Sequence, residues 1–176
     1  MSGRIISGER ELAQSELMAR VARAAGGLAA LGIGADGAVA IVLRNDFAFF
    51  EAAMAATLVG AYAVPVNWHF KSDEAGHVIR DCGARAVVIH ADLWPAIRDA
   101  IPTEVALFVV ATPPEIRDAY GLEPAVCRVP RGRHRLGRLA GRARALGPAA
   151  AARPHQHDLY LRHHRAAQGR AARAGQ

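Results

Sequence analysis

Beyond Pro130 this chain loses the side chains from which a hydrophobic core is built. Residues 131–176 contain no Val, Ile, Met, Phe or Trp; five Leu and Tyr160 are their only apolar residues besides Ala, and Ala, Arg and Gly make up 29 of the 46. Ordering a backbone costs about 1–2 kcal/mol per residue, and burial of large apolar side chains is the main offset. A segment of this composition is expected to remain unfolded. The fold has to be built from residues 1–130, which places a domain boundary at Pro130. Charge changes at the same point. Residues 1–130 hold 11 Lys+Arg against 15 Asp+Glu, whereas residues 131–176 hold 11 Arg against Asp158 alone. The net charge of +6 belongs entirely to the tail.

A chain of 176 residues suffices for one domain with a buried core and is too short to expect two. The 52% hydrophobic content overstates that core, because 39 of the 176 residues are Ala, which buries little area each. The longest apolar run, Ala52 to Val66, falls short of the ~20 residues of a bilayer span and is interrupted by Gly60 and Pro65. Met1 is not followed by a charged-then-apolar leader. Two cysteines, Cys82 and Cys127, cannot form a disulfide framework. A cytoplasmic location is the expectation.

Within residues 1–130 helical and strand-like patterns alternate. Between Glu9 and Leu31 the residues Leu17, Val21, Ala24, Leu28 and Leu31 recur at threes and fours, which predicts an amphipathic helix ended by Gly32 and Gly34. Ala38 to Leu43 is a continuous apolar run suited to a strand covered on both faces. Phe47 to Leu58 follows as a helix with Asp46 or Asn45 as cap, then Tyr62 to Val66 as a strand. Ser72 is expected to cap a helix reaching Cys82, with Gly83 ending it. Arg85 to His90 is the third strand, Ala91 to Ile101 a helix with Pro95 in its first turns, Val105 to Val110 the fourth strand, and Pro114 to Tyr120 a short helix. The order predicts an α/β fold, a partial doubly wound parallel sheet with helices on its faces, followed by the basic tail.

Motifs for chemistry are sparse. Gly32-Ile33-Gly34 resembles part of a dinucleotide fingerprint, but it follows a helix and precedes a strand, so a turn is the expected role. Lys71 is the chain's one lysine and lies in no glycine-rich loop, which removes a Walker-type phosphate site. His155, His157, His163 and His164 cluster without a cysteine, and metal binding is not expected there. Cys82 and Cys127 have no paired histidine and acid within sequence reach and are read as structural or incidental. Trp68 and His69 follow a strand, where α/β proteins place ligands, and are the candidates for lining a pocket.

Three stretches carry a resemblance. Gly37-Ala-Val-Ala-Ile-Val-Leu-Arg-Asn-Asp46 with Phe49-Phe50-Glu51, Gly60-Ala-Tyr-Ala-Val-Pro-Val-Asn-Trp-His-Phe70, and Ile79-Arg-Asp-Cys-Gly-Ala-Arg-Ala-Val-Val88 resemble the start of acyl-CoA synthetases, of the AMP-forming, adenylate-forming ligase superfamily. The likeness runs from about Glu11 to Pro130 and corresponds to an incomplete N-terminal subdomain. It implies a reaction in which a carboxylic acid attacks ATP to give an acyl-adenylate and pyrophosphate, and coenzyme A then displaces AMP. Mg2+ would help neutralise the phosphates. The family's phosphate loop reads T-S-G-T-T-G-x-P-K-G, and no such run occurs here. No catalytic, cofactor-binding or metal-ligating residue of the family has a matching position. The fragment is therefore expected to bind none of ATP, Mg2+ or coenzyme A, and to be inactive alone.

The residues of the tail nonetheless allow the missing loop to be encoded out of frame, the free third bases making the reading permissive. When the first base of each codon is dropped, each new codon joins two bases of one residue to the first base of the next. Tyr160 to Arg170 can then read T-S-G-T-T-G-R-P-K-G, and His157 to Tyr160 can supply M-I-Y before it. Leu136 to Ala140 can become W-D-D-W-L, which resembles a family segment upstream of the loop. All ten loop positions satisfy the fixed bases, each with roughly a one-in-four chance of doing so at its first base. A frameshift between about Val129 and Leu136 accounts for both the motif and the Ala/Arg/Gly composition.

Two other readings compete with this one. The chain can be a small α/β binding protein whose arginine-rich arm contacts nucleic acid through charge alone, without specificity. It can also be a truncated subunit that pairs with a complete ligase. A partial sheet of this kind leaves an open edge and apolar faces that the rest of a ligase would cover.

Overall fold

The computed structural model describes residues 3–130. The expectations for the tail, including an unfolded segment, the four histidines and the displaced reading frame, lie outside the described residues.

The chain opens with an antiparallel hairpin of β1 (Arg4–Ser7) and β2 (Arg10–Ala13), with Ser7 opposite Arg10 across a Gly8-Glu9 turn. Gly8 has φ +58°, a left-handed conformation that glycine adopts without a Cβ penalty. This hairpin corrects the expected helix from Glu9, because α1 begins only at Gln14 and ends at Ala30. Leu12, which lies within the expected helical stretch, is instead buried as a strand residue. On α1, Leu17, Val21, Ala24 and Leu28 are buried as expected, but Leu31 lies past the helix end and is 41% exposed.

A four-stranded parallel sheet follows. Its strands are β3 (Ala38–Val42), β4 (Tyr62–Pro65), β5 (Ala84–His90) and β6 (Ala106–Val110), in the spatial order β4-β3-β5-β6. All five residues of β3 are buried, as a central strand covered by helices on both faces requires. Alternate residues build two cores. Val39, Ile41, Ala86, Val88 and Phe108 pack on the side of α1 and of α2 (Phe47–Leu58). Ala40, Val42, Val87, Ile89 and Val109 pack on the other side, with α3 (Ser72–Asp81) and α4 (Trp94–Ile97). The period of two along each strand assigns every side chain to one layer or the other.

Cap chemistry fixes the helix starts. Asp46 caps α2 as expected, its Oδ1 accepting the Phe49 N–H at 3.2 Å. On α3 the cap position belongs to Lys71, and Ser72 is the first helical residue. The Glu74 carboxylate, three residues into the helix, accepts the Lys71 N–H at 2.9 Å. Gly76 lets α3 approach the following layer, since a Cβ there would meet the Ala100 Cβ at 2.8 Å. The expected helix over Ala91 to Ile101 is one α turn followed by a 3-10 turn at Arg98–Ala100, because residues 91–93 form a turn before Pro95 can start the helix. A last helix, α5, spans Pro114–Ala119. No helix of the described residues is long and apolar enough to cross a membrane.

Candidate functional site

In the order β4-β3-β5-β6 the connection from β3 runs toward β4, and the connection from β5 runs toward β6. The chain therefore leaves these two adjacent strands in opposite directions, on opposite faces of the sheet. The crevice at such a switch point is where open α/β sheets bind ligands. Here it is occupied by polar side chains of the protein itself.

Arg44 stands two residues beyond β3, and Asp92 two residues beyond β5. Their side chains are 7% and 4% exposed, and Arg44 Nη1 lies 2.8 Å from Asp92 Oδ2. The Thr112 hydroxyl, arriving just after β6, donates to Asp92 Oδ1. The Arg44 guanidinium lies in the corner of two rings that meet edge to face, with its Cζ 4.5 Å from the Trp68 centroid and 4.6 Å from that of Tyr120. Such cation–π contacts gain strength when water is excluded. The residues after β3, β4, β5 and β6 and the end of α5 are thus fastened together through one cation.

His90, the last residue of β5, is completely buried. Its Nδ1 accepts the Arg44 backbone N–H at 3.2 Å, so the neutral ring carries its proton on Nε2. That nitrogen faces Asp46 Oδ2 at 3.6 Å and, with Arg44 Nε, has no hydrogen-bond partner among the described residues. Asp46 holds the N-terminus of α2 with its other oxygen, a favourable place for a carboxylate beside the helix dipole.

This arrangement locks loops together. The guanidinium is spent on Asp92 and two aromatic rings, and one buried carboxylate serves as a helix cap. A phosphate would meet Asp46 and Asp92 where it needs N–H donors and cations. Among the described residues no end of the parallel strands carries a glycine-rich loop: the segments after β3, β4, β5 and β6 read Leu-Arg-Asn-Asp, Val-Asn-Trp-His, Ala-Asp-Leu and Ala-Thr-Pro-Pro. Lys71 sits at the start of α3, its N–H engaged by Glu74. The described residues accordingly do not fit a nucleotide's phosphates, and no step through ATP or coenzyme A is assigned to them. No group of three or more His, Cys, Asp or Glu that could hold a metal ion occurs among the described residues.

The residues singled out in the sequence fall around this network. Trp68 joins it through Arg44, while His69 is exposed, stacked on Trp68 at 3.5 Å between centroids. Gly32-Ile33-Gly34 forms the turn between α1 and β3, with Gly32 at φ +68°. Burial pushes the thiols of Cys82 and Cys127 above their ordinary values, which favours the unreactive protonated form. Cys82 donates to the Ile79 carbonyl at 3.5 Å. Cys127 and Thr112 line an open groove of about 430 Å3 with Arg117, Arg128 and Val129. Arg44, Asp92, Thr112 and Tyr120 were missed, and Asp46 and His90 were read only as a cap and a strand end. For Arg44, Asp92 and Thr112 the signal is positional, since each stands two residues beyond an apolar strand, whereas Tyr120 follows α5.

The family model described as AMP-binding enzyme matches residues 4–159, running past Pro130. Feruloyl-CoA synthases of Amycolatopsis sp and Streptomyces sp are each 39% identical over 83 residues, which is 47% of this chain and 17% of theirs. A benzoate CoA ligase from Burkholderia xenovorans LB400 shares the fold with a TM-score of 0.65 at 20% identity, over 84% of this chain and 27% of its own. A Brucella canis acyl-CoA synthetase does so with a TM-score of 0.62 at 21% identity, over 82% and 25%. The chain spans about a sixth of the length of the curated relatives and about a quarter of these structural neighbours. By its family match over residues 4–159, the chain belongs to the AMP-binding enzyme family.

Proposed function

We propose that residues 1–130 are the first part of an acyl-CoA ligase and that the reading frame is displaced between about Val129 and Leu136. Residues 131–176 then carry no function of their own, and the 176-residue chain does not catalyse acid activation. The whole ligase would use ATP and Mg2+ to activate a carboxylic acid and pass it to coenzyme A. The names of the feruloyl-CoA synthases make an aromatic carboxylic acid the substrate class of this proposal.

One observation carries the reading. Ten consecutive residues, Tyr160 to Gly169, accommodate the family's phosphate loop in the displaced frame, downstream of a fold that contains no such loop among its described residues. Support comes from the length as well, since the chain is a small fraction of each relative.

Independent sequencing of the gene, from codon 120 to well past the stop codon, tests it. A displaced frame that stays open and encodes further ligase motifs is the expected result. A displaced frame that closes at once overturns the reading. An original frame that keeps its likeness through codon 159 would move the boundary beyond Pro130. If the tail is a genuine product, salt-sensitive RNA or DNA binding that disappears on truncation at Pro130 becomes the rival's signature.

A further inference from the structure

We propose that His90 is a proton-operated latch on the Arg44 network: a ring with one proton holds the loop after β3 in place, and a ring with two protons releases it. Neutral imidazole has one donor and one acceptor, whereas imidazolium has two donors and no acceptor. In this chain the acceptor is in use. Nδ1 receives the Arg44 backbone N–H at 3.2 Å, on a ring that is wholly buried at the end of β5. A second proton has only that nitrogen to go to, and it would set one N–H against another in a place closed to bulk water. The other side of the ring is arranged the opposite way. Nε2 faces Asp46 Oδ2 at 3.6 Å, too far for a hydrogen bond but close enough for a counter-charge. Protonation therefore exchanges one contact for another: the Arg44 N–H is given up, and the contact between Nε2 and Asp46 becomes an ion pair. Asp46 can take it without leaving α2, because the Phe49 N–H is held by its other oxygen.

The released bond reaches beyond one amide. The backbone position of Arg44 sets its guanidinium against Asp92, Trp68 and Tyr120, so a displaced Arg44 loosens the contact that joins three further segments. The other charges around this end of the sheet are few. α2 contributes Asp46 and, further along, Glu51, with Arg20 and Arg23 of α1 acting on it. The turn after β5 contributes Asp92, already paired with Arg44. β6 sets the uncharged Val110 opposite His90, and Thr112 beyond it binds Asp92. The hairpin brings Arg10 over the Phe47 ring, where Glu115 of α5 holds it. Asp46 and Asp92 are thus the carboxylates whose own titration would also disturb Arg44, and a test has to separate a histidine step from theirs.

Nuclear magnetic resonance of the 15N-labelled 176-residue chain, titrated downward from neutral pH, reads both ends of the latch. The ring nitrogens of His90 report its protonation, and the shift and hydrogen-exchange protection of the Arg44 amide report the bond. One shared midpoint is expected, with Arg44 protection falling about tenfold across it, the scale of a single lost hydrogen bond. The Trp68 indole resonance should move with the same midpoint, and Val88 at the centre of the sheet should keep its protection. His90→Asn offers the Arg44 N–H a side-chain oxygen and cannot titrate, so it should remove the step. A step that survives in this variant belongs to Asp46 or Asp92 and overturns the proposal. Should the variant fail to fold, the parent chain decides alone. An Arg44 amide that stays protected while the His90 ring becomes doubly protonated overturns the latch, and so does a ring that takes its second proton only as the whole chain unfolds.

Discussion

Arg44 and Asp92, 48 residues apart, meet at 2.8 Å where β3 and β5 end, and the pair is almost wholly excluded from water. Desolvating two charges is expensive, and the attraction between them repays the cost only with good geometry and further hydrogen bonds. Here Thr112 supplies one such bond to the carboxylate, and Trp68 and Tyr120 enclose the guanidinium. The pair fills a crevice that many α/β proteins leave for a ligand, so this sheet's switch point serves cohesion.

Removing one partner should therefore cost far more than removing both. Asp92→Ala leaves a buried, unpaired guanidinium and is expected to lose about 3–5 kcal/mol. The double variant Arg44→Leu with Asp92→Ala is expected to be more stable than Asp92→Ala alone. Urea denaturation followed by tryptophan fluorescence measures both. Equal midpoints for the single and double variants would remove the ion pair's role.

Asp46 has two oxygens with different tasks, and two substitutions separate them. Asp46→Ala removes the cap of α2 and should cost about 1 kcal/mol. Asp46→Asn retains a capping oxygen, so its loss should be only a fraction of that. A similar large loss in both variants, in thermal unfolding, would assign the greater part of the effect to the carboxylate facing His90.

How much of this was legible beforehand depended on the kind of signal. β3 was readable because five buried residues in succession leave a continuous apolar run, and α2 because Asp46 stands directly before it. The β1–β2 hairpin was missed, since Ile5, Ile6 and Leu12 are too few to display a period of two against the stronger helical stripe that follows. The network around Arg44 was illegible for another reason. Arg44, Trp68, Asp92, Thr112 and Tyr120 come from five separate segments, and only the strand order brings them together.

The 176-residue chain, mixed with ATP, Mg2+, coenzyme A and ferulate, benzoate or a fatty acid, should release no pyrophosphate above background. The described strand ends offer carboxylates where phosphate-binding N–H groups and cations would be required. Thioester formation detected by mass spectrometry would contradict the proposal of an inactive fragment.

Glu51 should weaken the fold at neutral pH. Burial holds its carboxyl above the usual carboxylate range, with Arg20 and Arg23 opposing. Between the ordinary value and the raised one the folded state binds more protons than the unfolded state, so stability falls as pH rises through that window. Glu51→Gln is expected to raise the melting temperature at pH 7, with the gain vanishing below the ordinary carboxylate range. A gain of the same size at acidic pH would mean that the charge is not its source.

Glu115 has the opposite sign and a local readout. Burial alone would raise its carboxyl, but hydrogen bonds from Arg10, its own backbone N–H and Ser7 outweigh that and hold it below the usual range. Through those bonds the first helical residues of α5 grip the β1–β2 hairpin, whose Arg10 also lies over the Phe47 ring. A depressed carboxyl contributes stability that is present above its unfolded value and is lost as pH falls through the folded one. Hydrogen exchange should therefore speed up at Ile5 and Leu12, which face each other in the hairpin, as the solution is acidified below the ordinary carboxylate range. Val88, at the centre of the sheet, should show no such step. Glu115→Gln should give fast hairpin exchange at neutral pH and abolish the acid step. If the hairpin amides in that variant stay as slow as in the parent chain, the hairpin is held by Ile5 and Leu12 packing into the core and the carboxylate grip contributes nothing measurable.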